Sequence, residues 1–91
     1  MSEPSAEGPK LVRATVLVRP KQGILDPQGQ AVQASLEKLG FPVDVVRVGR
    51  VIDLEVEAKD EDDARNQLEL MCDTLLANPL IESFEVKLGE R

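Results

Sequence analysis

The stretch LVRATVLVR, Leu11 to Arg19, alternates residue by residue. Val12, Ala14, Val16 and Val18 fall on one side, with Arg13, Thr15 and Arg19 on the other. Only an extended strand gives successive side chains opposite directions, so the pattern commits this segment to a sheet with one dry face. Everything downstream has to cover that face.

A helix is expected next. Asp26 before Pro27 is a helix start: the carboxylate accepts from free backbone N–H groups, and proline sits where no donor is needed. Ala31, Val32, Leu36 and Leu39 recur at helical spacing as one stripe, and Gly40 ends it. The run Val43 to Val48 is dense in β-branched valine. Gly49 interrupts it before Val51, Ile52, Leu54 and Val56 resume a period of two, which predicts a hairpin turning at Gly49-Arg50. On the second arm Asp53, Glu55 and Glu57 point away from the apolar side.

Asp60, Glu61, Asp62 and Asp63 place negative charge at the positive end of a second helix. Ala64, Leu68, Met71, Cys72 and Leu75 form its stripe, widened by Leu70 and Leu76, and Asn78-Pro79 stops it. A last strand covers Ile81 to Leu88, with Phe84, Val86 and Leu88 inward. The order is β-α-β-β-α-β. Right-handed crossovers then predict an α+β fold, the ferredoxin-like two-layer sandwich. In it a four-stranded antiparallel sheet, with strands one and three central, carries both helices on one face. The opposite face would bear Leu11, Arg13, Thr15 and Leu17 beside Asp53 and Glu55, a docking face suited to self-association. Residues 1–10 read as a loose tail without an apolar signal core, 11–88 as a single domain and 89–91 as a C-terminal tail.

The composition excludes most chemistry. Among 91 residues there is no His, Trp or Tyr. The commonest general base near neutral pH and the imidazole metal ligand are therefore absent. Cys72 is the single cysteine, which rules out an internal disulfide and a thiolate zinc cluster and fits a reducing cytoplasm. It lies on the apolar stripe, where core packing explains it better than nucleophilic catalysis. The acidic run 60–63 lacks calcium-loop spacing and reads as capping. Lys21, Gly23 and Gly29 lack phosphate-loop spacing, and an Asp occupies the helix mouth where the anion would sit. With 17 acidic against 11 basic residues, the net charge of −6 repels nucleic acid and anionic membrane surfaces. An RNA-recognition module shares the element order but reads bases with aromatics on its central strands, and the central strands here have none.

Three blocks nevertheless stand out in order. They are Lys21-Gln22-Gly23-Ile24-Leu25-Asp26-Pro27-Gln28-Gly29-Gln30-Ala31-Val32, then Val46-Arg47-Val48-Gly49-Arg50-Val51-Ile52-Asp53-Leu54, then Cys72-Asp73-Thr74-Leu75-Leu76-Ala77-Asn78-Pro79-Leu80-Ile81-Glu82. Together they resemble the PurS family, the small subunit of phosphoribosylformylglycinamidine synthase in purine biosynthesis. Arg50 and Phe84 stand where that family often has Lys and Tyr, departures that keep charge and aromaticity. The resemblance implies a non-catalytic subunit that binds no cofactor or metal itself. Its partners would be a PurL-type synthetase, holding ATP and Mg, and a PurQ-type glutaminase, with this chain keeping them in register for ammonia transfer. It also implies partner-facing loops, with Lys21, Leu25, Asp26, Gln28, Arg47, Arg50 and Asn78 as candidates, and a homodimer or higher oligomer. The rival reading is a stand-alone ligand-sensing module of the ACT type, which shares the element order.

Overall fold

The computed structural model describes residues 9–89. The expected N-terminal tail lies outside them save for its last two residues, and so do residues 90 and 91 of the expected C-terminal one. Lys10 already belongs to the first strand.

The chain runs β1 (Lys10–Pro20), α1 (Pro27–Lys38), β2 (Arg50–Ala58), α2 (Glu61–Met71) and β3 (Glu82–Leu88). The alternating first segment does what its pattern demands: Ala14, Val16 and Val18 are buried on one face. β1 is central and antiparallel to both neighbours, giving the order β2-β1-β3. Arg13 stands opposite Glu55 and Thr15 opposite Asp53, as the charge pattern of the outer face suggests. The Thr15 hydroxyl donates to Asp53 over 2.8 Å, and Arg13 pairs with Glu55 at 3.4 Å.

Two expectations fail here. The sheet has three strands, not four, because 43–48 pairs with no strand among the described residues. β2 starts at Arg50, and no hairpin turns at Gly49-Arg50. Consequently the strand expected third lies at an edge, and only the first is central. β-branched content favours extended backbone but supplies no neighbour to pair with, and this segment is held along α1 instead. The backbone N–H of Val48 donates to the Asp26 carboxylate at 3.0 Å, and Gln33 donates its side-chain amide to the Asp44 carbonyl at 2.6 Å. At Gly29 the approach is so close that a Cβ would collide with the Val46 carbonyl and the Asp26 carboxylate.

The second failure follows from the first. The expected stripe of α1 does not lie on the sheet: Val32 and Leu39 stay exposed, and Gly29 alone is buried in this helix. The helices therefore do not share one sheet face. α1 and 41–49 form an arm running off the end of the sheet, and the structure measures 63 × 26 × 14 Å.

α2 does pack as expected, its Ala64 and Leu68 fully buried on the sheet. Beyond it, Cys72–Leu76 forms one π-helical turn, closed by the Ala77 N–H to the Cys72 carbonyl at 3.0 Å. The wider turn shifts the helical phase. Cys72 and Ala77 point inward, whereas Leu75, placed on the stripe by a strict α repeat, is 81% exposed. The core is accordingly small, built from Ala14, Val16, Val18, Val56, Leu68, Cys72 and Ala77, with Phe84, Val86 and Leu88 of β3 packed against it.

Candidate functional site

Capping chemistry builds the region where the candidates meet. Asp26 accepts from the Gly29 N–H at 3.0 Å as the helix cap. Its second oxygen takes the Val48 N–H, so one carboxylate starts α1 and pins the returning chain. These two backbone donors, in that order of weight, hold Asp26 below the usual carboxylate range against the opposing effect of burial, and nearby Arg47 acts the same way. An ionised Asp26 is a structural bolt, which disfavours it as a general base.

Arg50 is likewise built in. Its guanidinium takes both oxygens of Glu82, at 2.9 and 3.0 Å, and also donates to the Leu76 carbonyl at 2.7 Å. This clamp reaches over β1 and ties the start of β2 to the start of β3 and the end of the π turn. Hydrogen bonding to Arg50, then to the Asn78 backbone N–H, lowers the Glu82 pKa, and the same pair raises that of Arg50. Arg47 donates to the Pro20 carbonyl. Asn78 shapes the turn into β3, its side-chain oxygen accepting from the Leu80 N–H at 3.1 Å and its carbonyl from Ile81 and Glu82.

These residues converge on two adjoining open clefts where the arm leaves the sheet. One, of about 780 Å³, is lined by Arg19, Lys21, Gln22, Arg47, Arg50 and Ser83 over an apolar floor of Leu17, Val18 and Val51. No carboxylate lines it, which is notable in a chain of net charge −6. The second, of about 500 Å³, takes in Leu25, Asp26, Gln28, Arg50 and Glu82. Six of the seven expected interface residues thus line one end of the molecule. Asn78 lines neither cleft and joins the region through its hydrogen bond to Glu82. Sequence reasoning missed Glu82 and Ser83, because nothing in their local pattern signals a partner 32 residues away or a place in a cleft.

Elsewhere the chemistry is structural. Asp60 caps α2 by accepting from Asp63 at 2.8 Å, and Asp63 accepts from the Lys59 N–H and the Gln67 amide. Among the described residues no cluster of His, Cys, Asp and Glu could hold a metal ion. Burial, then Asp73 and Glu69, pushes the Cys72 thiol up, away from the reactive thiolate. Among the described residues no helix is long and apolar enough to cross a membrane.

A three-stranded antiparallel sheet with one packed helix, one projecting arm and a cationic cleft at their junction defines a small α+β protein. The comparisons with known proteins make that class specific. Residues 13–90 match the family model "PurS: Phosphoribosylformylglycinamidine (FGAM) synthase". The PurS subunit of Synechocystis sp. is 49% identical over 73 residues, 79% of this chain and 71% of that protein. The one from Methanocaldococcus jannaschii is 38% identical over 78 residues, covering 85% and 94%. In the structure of PurLQS from Thermotoga maritima, one chain superposes with a TM-score of 0.78 at 33% identity, covering 88% of this chain and 99% of that one. The chain belongs to the PurS family and is a subunit of phosphoribosylformylglycinamidine synthase, a ligase complex of purine biosynthesis. A stand-alone ACT-like sensor is not favoured.

Proposed function

We propose that this chain holds a PurL-type synthetase and a PurQ-type glutaminase in register, so that ammonia passes between their sites without escaping to water. ATP and Mg belong to the synthetase, the complex is cytoplasmic, and this chain self-associates within it. Fixing the geometry of two active sites replaces a diffusive encounter with positioning. The observation that carries this reading is the gathering of Lys21, Leu25, Asp26, Gln28, Arg47 and Arg50 on two clefts at one end of the molecule, one of them free of carboxylates. A cationic rim over an apolar floor suits a carboxylate-bearing partner segment.

Reconstitution tests it. Omitting this chain should lower the glutamine-dependent rate at least tenfold while leaving synthesis from added ammonia in place. Full glutamine-dependent activity without it would sink the proposal. Lys21→Glu should weaken capture of the partner subunits without moving the melting temperature.

A further inference from the structure

On the helix-free face of the sheet, charge is cancelled at one end and left open at the other. Along the first half of β1 the cross-strand partners satisfy one another: Arg13 pairs with Glu55, and Thr15 donates to Asp53. Further along, the pairing changes character. Leu17 stands opposite Val51, and Arg19 stands opposite Ser83. Alternation puts Leu17 and Arg19 on the same outer face as Arg13 and Thr15, and with Val51 and Ser83 they line the cleft of about 780 Å³.

Three cations surround that floor, with no carboxylate inside the cleft to meet them. Arg19 and Lys21 are exposed and form no ion pair among the described residues. Arg47 is held by its hydrogen bond to the Pro20 carbonyl. Gly49 lies so close to β1 that a Cβ would meet the Val18 carbonyl, and this approach brings Arg47 and Arg50, on either side of it, to one cleft. Arg50 is already paired with Glu82, which lines the second cleft, as does Asp26 beside Arg47. Glu85, opposite Leu17 on β3, borders the first cleft without lining it.

Each part of this arrangement selects a feature of its occupant. A carboxylate carries one charge, whereas a phosphate monoester carries about two at neutral pH, and guanidinium forks match its oxygens. Leu17 and Val51, the latter 62% exposed, offer an apolar bed for a ring. Gln22 and Ser83 offer hydrogen bonds to its polar edge, the ordinary make-up of a small-molecule site. Because Arg47 and Arg50 are held by contacts of their own, little is lost in ordering them. We propose that this cleft binds a phosphate ester of a ring-bearing small molecule, a sugar phosphate or a nucleotide, with Arg19, Lys21 and Arg47 on the phosphate and the ring on Leu17 and Val51. The proposal goes beyond the docking role. A partner's carboxylate and the ester would compete for the same cations, and the test uses this chain alone, so either reading can fail without the other.

The full chain in low salt is titrated with adenosine 5′-monophosphate, ribose 5-phosphate, adenosine, inorganic phosphate and succinate, and amide shifts are followed by NMR. At least one ester should bind with a dissociation constant below about 1 mM, at least tenfold tighter than adenosine, inorganic phosphate or succinate. It should move the amides of Arg19, Lys21, Gln22, Gly49 and Ser83 together. Tighter binding of the nucleotide assigns the base to the apolar floor, and equal or tighter binding of ribose 5-phosphate assigns the sugar; both support the proposal. Arg19→Gln with Lys21→Gln should weaken binding at least tenfold with the melting temperature unmoved. Glu85→Gln should tighten it by removing a bordering negative charge, and it decides alone if the double variant loses its fold. No saturable binding of either ester, equal binding of adenosine, inorganic phosphate or succinate, shifts confined to other segments, or unchanged affinity in either folded variant would each overturn the proposal.

Discussion

The two helices of this molecule start by the same rule and end in opposite situations. Asp26 caps α1 and Asp60 caps α2, each accepting the N–H three residues on. Yet α2 buries Ala64 and Leu68 against the sheet, while α1 leaves Val32 and Leu39 of its apolar stripe exposed and buries only Gly29. Capping is a local contact, decided within four residues. Whether an apolar stripe finds a sheet depends on how the chain travels between elements, and here three contacts around the base of α1 fix that path. The body is stabilised by burial, the arm by hydrogen bonds at its root.

Truncation should separate the halves most sharply. Leu68→Ala empties a fully buried position and should cost about 3 kcal/mol of stability by chemical denaturation. Leu39→Ala, on the exposed end of the α1 stripe, should cost under about 0.5 kcal/mol in the monomer. Equal losses would mean that α1 is packed as well as α2, and the contrast would collapse.

The arm's own weak point is Gly29. Gly→Ala inside a helix ordinarily stabilises by up to about 1 kcal/mol. A methyl group here meets the Val46 carbonyl and the Asp26 carboxylate, so Gly29→Ala should instead destabilise by about 1–2 kcal/mol. The loss of amide protection should be concentrated in 43–48. A stabilised variant would show that the segment does not lie against the helix.

What the sequence made legible divides along the same line. Period-two alternation located all three observed strands and their inward faces, and Asp-Pro and the acidic run located both helix starts, because those signals are local. The fate of Val43 to Val48 was not legible: valine density is the same whether a strand's partner lies in the chain or is missing from it. The π turn was hidden too, since Leu75 keeps helical spacing in the sequence and only the backbone hydrogen bond from Ala77 to Cys72 shows the shift. The candidate site was legible as three blocks, but not as one place. Arg50 looked like a hairpin tip and is a clamp on Glu82.

That clamp bridges the two edge strands, so Arg50→Ala should act on the body rather than the arm. Its guanidinium side chain is 49% exposed, and screening by water limits a bidentate pair of this kind to about 1 kcal/mol. Arg50→Glu should exceed this, placing two carboxylates together, and part of the excess should vanish in 1 M salt. A melting temperature unmoved by Arg50→Ala would return Arg50 to the set of purely partner-facing side chains.

Acid should probe root and clamp together with the smallest effect. Asp26 and Glu82 both have pKa values lowered in the fold from ordinary values of 3.8 and 4.5. Between the folded and unfolded values the unfolded chain binds more protons, so stability rises with pH through that window. The contribution is fully present above those ordinary values and fades as pH falls through the depressed ones. The contribution of Arg50, whose pKa Glu82 raises, is fully present at neutral pH and is lost only at strongly alkaline pH, so its own titration adds no slope in this window. Melting temperatures from pH 6 down to pH 2 should therefore fall less steeply in Asp26→Asn than in the wild type, with the difference confined to acid. For this variant the protection lost should be that of Val48 and the first turn of α1, and for Glu82→Gln that of the turn at Asn78. If both variants lost protection over the whole chain alike, arm and body would be one cooperative unit, and the division between them would be one of shape and not of energy.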